Sequence, residues 1–142
     1  MNQTILCSAL FLVVFATSGQ GKRPANTVQT EMTDVASGKQ TYVEYCAACH
    51  GDDAKGRGPA ASALRTPPSN LTTLAKEHAG KFPEEYVTEI VRFGKPIQAH
   101  GSADMPVWGP IFSARDKFNE VAVRRRIKNL CEYLKTLQEK ES

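Results

Sequence analysis

The stretch 46–50, with the sequence Cys-Ala-Ala-Cys-His, constrains this chain more than any other feature. Residues i and i+3 of a helix share a face about 5–6 Å apart, so Cys46 and Cys49 lie side by side if the stretch is helical. His50 then follows at the helix end and can bind iron through an imidazole nitrogen. This spacing is the attachment signature of c-type haem. We therefore predict one covalently bound haem c, joined through thioether bonds at Cys46 and Cys49.

Three other interpretations of the motif agree less well with the rest of the chain. A thioredoxin-type redox pair lies near a βαβ pattern, and this sequence has no convincing run of strand residues. A zinc site takes four ligands, but beyond the motif the mature chain offers only Cys131, His78 and His100. A plain disulfide leaves the adjacent histidine unexplained.

The N-terminus has the pattern of an export signal. The run from Ile5 to Ala16 is almost continuously apolar, although short for a bilayer span, and small or polar residues follow it. We predict a signal peptide at 1–18, a flexible lead-in at 19–34 and one domain at 35–142, with an uncleaved signal-anchor as the alternative. Export agrees with haem attachment, and both predict the periplasm, with no membrane span after signal cleavage.

Helical patterns account for much of the remaining chain. Ser37 resembles the cap of a helix that ends near Ala47, where Gly51 lets the chain turn. A short helix is predicted from Leu71 to about His78 after the cap Asn70, and another from Pro83 to Gly94. The chain of 142 residues suits one domain, and its net charge of +3 is too mild to predict a nucleic-acid partner.

The C-terminal third contains the strongest periodicity. A loop is predicted from Lys95 to Phe112, followed by a last helix that Ser113 caps. The apolar face of this helix is Val123, Ile127, Leu130, Leu134 and Leu137. Cys131 lies within that face and is predicted to be buried, with intermolecular pairing as the alternative. The fold class is therefore all-α, with short helices around a cofactor.

These features resemble the class I family of c-type cytochromes, specifically its small bacterial forms with a single haem. The resemblance covers about Val35 to Gln138 and is strongest at the haem motif and at Met105-Pro106. It implies the cytochrome c-like fold, whose first and last helices cross. In this chain Gly38 and Tyr42 would meet Leu130 and Tyr133 at that crossing, where a glycine permits close approach of the backbones.

The resemblance also implies a ligand set for the iron. His50 and the sulfur of Met105 would be the axial ligands, whereas His100 and Met32 are the competitors. A proline carbonyl would accept the second ring N–H of the histidine, and either Pro68 or Pro59 can supply it. Trp108 would pack against the haem and donate to a propionate, with plain core packing as the alternative.

The implied function is one-electron transport between respiratory or periplasmic redox enzymes, by a monomer that meets its partner proteins transiently. No enzymatic activity is expected, because two axial ligands leave no open site on the iron. The alternatives are a cytochrome subunit of a periplasmic dehydrogenase complex and a haem enzyme or gas sensor. The run 124–126, Arg-Arg-Arg, is either a docking feature or a solvated helix face.

Overall fold

The structure is a computed structural model of the chain and describes residue 34, residues 37–94 and residues 105–140. No strand occurs in these ranges, which confirms the all-α fold class. Their helices are α1 (37–45), α2 (Ala47–His50), α3 (Leu74–Glu77), α4 (Glu84–Phe93), α5 (Trp108–Arg115) and α6 (Glu120–Thr136). Short 3-10 turns cover Ala61–Ala63 and Leu71–Thr73. The predicted signal peptide and lead-in lie outside the described residues, apart from residue 34.

Asparagine side chains start two of the helical segments. Asn70 accepts a hydrogen bond from the backbone N–H of Thr72 at 2.9 Å, which confirms the cap predicted before Leu71. The last helix begins later than predicted. Its cap is Asn119, which accepts from the backbone N–H groups of Val121 and Ala122.

The prediction that Ser113 caps the last helix is therefore wrong. Ser113 lies inside α5, a helix that occupies the end of the predicted loop. The reason is the position of Pro110 in the first turn of α5. The N–H groups of a first turn have no partner within the helix, so proline does not disrupt it there. Gly109 and Pro110 together gave the sequence the appearance of a loop.

The apolar face of α6 forms the centre of the core, as its periodicity predicted. Val123, Ile127, Leu130 and Leu134 are all buried. Cys131 is buried beside them, and its sulfur lies 3.9 Å from the Thr88 hydroxyl. Burial raises the pKa of this thiol to about 11, so it stays protonated at neutral pH. Cys131 is thus a small buried residue, as predicted.

The predicted crossing of α1 and α6 is present. A Cβ atom at Gly38 would lie 1.9 Å from the backbone carbonyl oxygen of Asn129, so only glycine fits there. One turn further along α1, the rings of Tyr42 and Tyr133 have centroids 5.4 Å apart. Tyr42 is fully buried in this contact. The crossing holds the start of the haem motif against the longest described helix.

Among the described residues, no helix combines the length and the apolar character that crossing a membrane requires.

Candidate haem site

The haem motif lies on an almost continuous helical path. The N–H of Cys46 donates to the carbonyl of Tyr42 at 2.8 Å, and the N–H of His50 donates to the carbonyl of Cys46 at 2.9 Å. Helical hydrogen bonding thus runs from α1 through Cys46 into α2. Cys46 and Cys49 are free thiols, each half-buried. Their spacing places both on one side of this path, as thioether attachment requires.

The loop after the motif holds the C-terminal end of α2 in place. The carbonyls of Ala48, Cys49 and His50 accept hydrogen bonds of 2.7–2.9 Å from loop N–H groups at 56–60. These are the carbonyls that a helix end leaves without an internal partner. A Cβ atom at Gly58 would lie 2.4 Å from the Ala48 oxygen, so this close approach needs glycine. Backbone hydrogen bonds from the loop therefore hold the end of the motif helix.

The imidazole of His50 is oriented by the carbonyl of Ser69. The distance from Nδ1 to that oxygen is 3.0 Å. A carbonyl can only accept, so Nδ1 carries the proton and Nε2 keeps its lone pair for a metal. Burial lowers the pKa of His50, and the hydrogen bond to Ser69 partly opposes this, so the neutral ring is favoured at neutral pH.

The acceptor differs from the sequence prediction of Pro68, or alternatively Pro59. The carbonyl that contacts Nδ1 belongs to the residue after Pro68. The Pro68 carbonyl instead faces Gly56, where a Cβ atom would lie 2.1 Å from its oxygen. The Pro68 carbonyl packs on Gly56, and the next carbonyl along the chain, that of Ser69, reaches the imidazole. The loop is the predicted one, but the acceptor is shifted by one position.

Tyr42 has a second role that the sequence did not reveal. Its hydroxyl donates to the carbonyl of Gly51 at 2.5 Å, in a fully buried setting. The bond ties α1 to the turn directly after His50. Burial, the main cause, raises the pKa of this phenol, so it remains a donor throughout the physiological range. An aromatic residue at the helix crossing gives no sign in sequence of where its hydroxyl points.

The thiol of Cys46 lies in a buried setting. Burial, and secondarily the neighbouring Cys49, raise its pKa to about 12. A neutral sulfur in an apolar setting agrees with a position that is to become a thioether, which carries no charge.

Met105 is the first residue of the described range 105–140 and lies just before α5. Its side chain is 37% exposed. Two residues after Met105, the chain lies against the end of α4: a Cβ atom at Gly94 would lie 2.4 Å from a methyl group of Val107. The competing ligands His100 and Met32 lie outside the described residues. The ligation of iron by Met105 therefore stays a prediction.

Trp108 belongs to an aromatic cluster beside the motif helix. Its ring meets Tyr45 edge-on, with centroids 5.3 Å apart, and stacks on Phe112 at 6.1 Å. Phe112 is fully buried, whereas Trp108 and Tyr45 are half-buried. Packing against the core, the alternative given for Trp108, is thus present, and its contact with a haem stays a prediction. Phe112 fell in the predicted loop and went unrecognised.

The triple arginine run divides into two kinds of residue. Arg126 donates from Nε to the Asp116 carboxylate at 2.9 Å, with a second bond from its terminal nitrogen, and lies over the Phe112 ring. The hydrogen bonds from Arg126 are the main cause that holds the pKa of Asp116 below its usual value. Arg124 and Arg125 are exposed. Arg126 therefore has a structural role, whereas Arg124 and Arg125 lie on the exposed face of the helix.

The residues present fit a covalently bound haem. Two free thiols lie at the required spacing on one helix, and the histidine after them has its Nε2 lone pair fixed for iron. Within the described ranges, no group of three or more His, Cys, Asp and Glu side chains could hold a metal ion alone. A haem does not need such a group, since the porphyrin supplies four of the six iron ligands. The arrangement defines the class of c-type cytochromes.

Comparison with known protein families agrees with this class. Residues 33–119 match the family described as cytochrome C oxidase, cbb3-type, subunit III. The match covers more than half of the chain, and the protein belongs to this family of c-type cytochrome domains. No curated protein and no solved structure matches the chain.

Proposed function

We propose that this protein is a periplasmic one-electron carrier that uses a single haem c, with His50 and Met105 as axial ligands. Membership of a c-type cytochrome family already supports electron transport as the general function. The observation that carries the finer proposal is the His50 imidazole, held by the Ser69 carbonyl at the end of the haem motif. A proton fixed on Nδ1 leaves Nε2 for iron and makes it a stronger donor.

The haem, when bound, supplies a one-electron couple between ferric and ferrous iron. The polypeptide controls that couple through its own groups. Cys46 and Cys49 would hold the haem through thioether bonds, and the backbone N–H groups of the loop at 56–60 hold the end of the motif helix. Met105 would contribute a neutral thioether, which favours the less charged ferrous state and raises the reduction potential.

This ligand set favours transport over catalysis. If His50 and Met105 both bound the iron, they would leave it no open position for oxygen, peroxide or another small substrate. Electron transfer needs only brief contact with a partner at the exposed haem edge, and redox encounters are typically small. A haem enzyme or gas sensor is the opposing possibility and requires Met105 to be absent from the iron or to dissociate from it easily. Rapid carbon monoxide binding by the reduced protein would favour it.

A second candidate is a cytochrome subunit of a larger enzyme complex. The description of the matching family names subunit III of a cbb3-type cytochrome c oxidase, which favours an oxidase over the periplasmic dehydrogenase that the sequence suggested. A stable complex that survives purification from native membranes would support this candidate. A protein recovered alone, which exchanges electrons with several partners, would support the free carrier.

The export that this proposal requires rests on the apolar run at the N-terminus. Sequencing the N-terminus of the purified protein tests it. A start near Gly19 would support signal cleavage, and a start at Met1 in a membrane fraction would support the anchored form.

Covalent attachment is the first test of the proposal. After denaturation and acid-acetone extraction, the haem colour should stay with the wild-type protein, because thioether bonds survive this treatment. Cys46→Ala should weaken or abolish attachment. Cys131→Ala is the matched control, since it removes a buried cysteine outside the motif and should leave attachment intact. Complete extraction of the colour from the wild-type protein would contradict the proposal.

A further inference from the structure

The corner between α5 and α6 exposes a large aromatic side chain. Phe118 lies in the turn between these helices and is 78% exposed, the highest value among the exposed large apolar side chains of the described residues. Val121, in the first turn of α6, is 65% exposed. Neither residue takes part in the aromatic cluster or in the helix crossing described above.

The backbone of the turn holds Phe118 outward. Lys117 and Phe118 have positive φ angles of 54° and 60°, a conformation that residues other than glycine rarely adopt. The N–H of Phe118 donates to the carbonyl of Ser113 at 2.7 Å, and that of Lys117 donates to Ala114 at 3.3 Å. This is the Schellman pattern of hydrogen bonds, with lysine where glycine is usual.

Two local contacts that commonly bury such a side chain are not used. After a Schellman turn, the residue at this position often packs on one of two residues near the helix end, here Ser113 or Phe112. The residue before a helix cap often packs on the fourth helical residue, here Val123. Val123 is 1% exposed, whereas Phe118 remains 78% exposed, so neither contact covers the ring.

Basic side chains predominate around these two apolar residues, and the exposed carboxylate beside them, Glu120, is paired with Arg92. The exposed face of α6 lies opposite its buried face. It includes Val121, then Arg124 and Arg125 three and four positions later, and Lys128 a further turn along. Lys117 is exposed in the turn itself. In the described part of the chain, no carboxylate forms an ion pair with any of these four cations, although Arg125 is near enough to Asp116 to contribute to the lowered pKa of that carboxyl. We name residues Lys117, Phe118, Val121, Arg124, Arg125 and Lys128 the α5–α6 corner.

We propose that the α5–α6 corner docks this protein on an anionic phospholipid surface. An aromatic ring at headgroup depth with lysine and arginine around it is the usual composition of a peripheral lipid contact. A protein partner fits less well. A specific protein interface buries about 800 Å² on each side, whereas the apolar part of this corner is two side chains projecting from a turn. The proposal does not depend on the electron-carrier function.

Sedimentation with lipid vesicles tests the charges. The haem-loaded full chain should bind vesicles of phosphatidylglycerol and phosphatidylethanolamine more tightly than vesicles of phosphatidylcholine. The variant Arg124→Gln/Arg125→Gln/Lys128→Gln should lower the vesicle partition coefficient about a hundredfold, because each cation removed lowers it about fivefold. The control Lys39→Gln/Lys76→Gln/Lys81→Gln removes the same charge from exposed positions elsewhere and should change it less than about fivefold. Equal losses in the two variants, or equal binding to both vesicles, would overturn the proposal.

The aromatic contribution has its own matched pair. Phe118→Asn removes the ring while keeping a residue that tolerates positive φ, and should lower binding about tenfold. Phe93→Gln removes another phenylalanine, which is 63% exposed at the end of α4, and should have little effect. A larger loss with Phe93→Gln than with Phe118→Asn would contradict the assignment of the contact to this corner.

Photo-crosslinking identifies the occupant even if the N-terminal segment itself tethers the chain to a membrane. A benzoylphenylalanine at position 118 should form adducts with phosphatidylglycerol in native membranes, and one at position 93 should form few. Adducts with protein in place of lipid at position 118 would show a protein-docking site and overturn the proposal.

Discussion

The two sides of the candidate haem site differ in how strongly the backbone fixes them. On the histidine side, carbonyls at 48–50 accept from loop N–H groups and the Ser69 carbonyl holds the imidazole. On the methionine side, Met105 is 37% exposed, and Val107 and Ile111 are 41% and 42% exposed. The histidine side is therefore held by backbone hydrogen bonds, whereas the methionine side is held by the packing of α5 on α4, where a Cβ atom at Gly109 would lie 2.2 Å from the Arg92 carbonyl oxygen. Substitutions should cost stability on the first side and change the iron ligand on the second.

The largest loss of stability is expected on the histidine side. Gly58→Ala would place a methyl group 2.4 Å from the Ala48 carbonyl oxygen and 2.6 Å from that of Ala47. The motif helix or the loop must then shift, at a cost of about 3 kcal/mol in the free energy of unfolding. Chemical denaturation of the haem-loaded protein measures this loss.

The control for that change is Ser62→Ala, at an exposed position in the same loop. It should alter the free energy of unfolding by no more than about 0.5 kcal/mol. If Gly58→Ala were as stable as Ser62→Ala, the backbone of the histidine side would not be the rigid frame described above.

An intermediate effect is expected where α5 is joined to α6. Arg126→Gln leaves Asp116, whose side chain is only 10% exposed, without its charged partner. The expected loss is about 2 kcal/mol at neutral pH, less than for a fully buried pair because the arginine is 21% exposed. Arg124→Gln, in the same run but exposed, should cost less than about 0.5 kcal/mol.

The same pair predicts a dependence on pH. The pKa of Asp116 is lower in the folded protein than its usual value, mainly through the hydrogen bonds from Arg126. Its stabilising effect is therefore fully present above the ordinary carboxyl pKa of about 4 and is lost as the pH falls through the folded value. The gap in stability between wild type and Arg126→Gln should narrow below about pH 4. A gap that stayed constant down to pH 2 would contradict the pairing.

The smallest effect is expected where α5 meets α1. Arg115 donates to the Glu44 carboxylate at 2.6 Å, but both side chains are 41% exposed. Solvent screens such a pair, so Glu44→Gln should change the free energy of unfolding by about 0.5 kcal/mol or less. Thermal melts of the two haem-loaded proteins should nearly coincide. A loss of several kcal/mol would mean that the methionine side is as firmly held as the histidine side.

The parts of the fold that could be predicted from the sequence are those in which one residue type satisfies one local need, such as burial, close backbone approach or helix capping. The apolar period of α6 gave the core face, and Gly38 with Tyr42 gave the helix crossing. Asn70 was recognised as a cap because its side chain can replace a missing backbone partner. Each of these requirements acts within one helix or one turn.

The features that could not be predicted from the sequence depend on where a carbonyl, hydroxyl or helix start lies in the folded chain. Helix α5 was predicted as a loop because proline is compatible with a helix only in its first turn, and the start of the helix was not evident. The acceptor for His50 is Ser69 in place of Pro68, because the packing of the loop on Gly56 decides which of two neighbouring carbonyls reaches the imidazole. The bond from Tyr42 to Gly51 joins two elements and leaves no local pattern.

The central claim, a carrier whose iron is held by His50 and Met105, is tested most directly by the spectrum of the oxidised protein. The wild type should show the weak far-red charge-transfer band from sulfur to ferric iron. Met105→His should remove the band, keep the iron low-spin and lower the reduction potential, because imidazole donates more strongly than thioether. His100→Ala and Met32→Leu should leave both spectrum and potential nearly unchanged. A band that persists in Met105→Leu, together with a change of spin state in His100→Ala, would contradict the account.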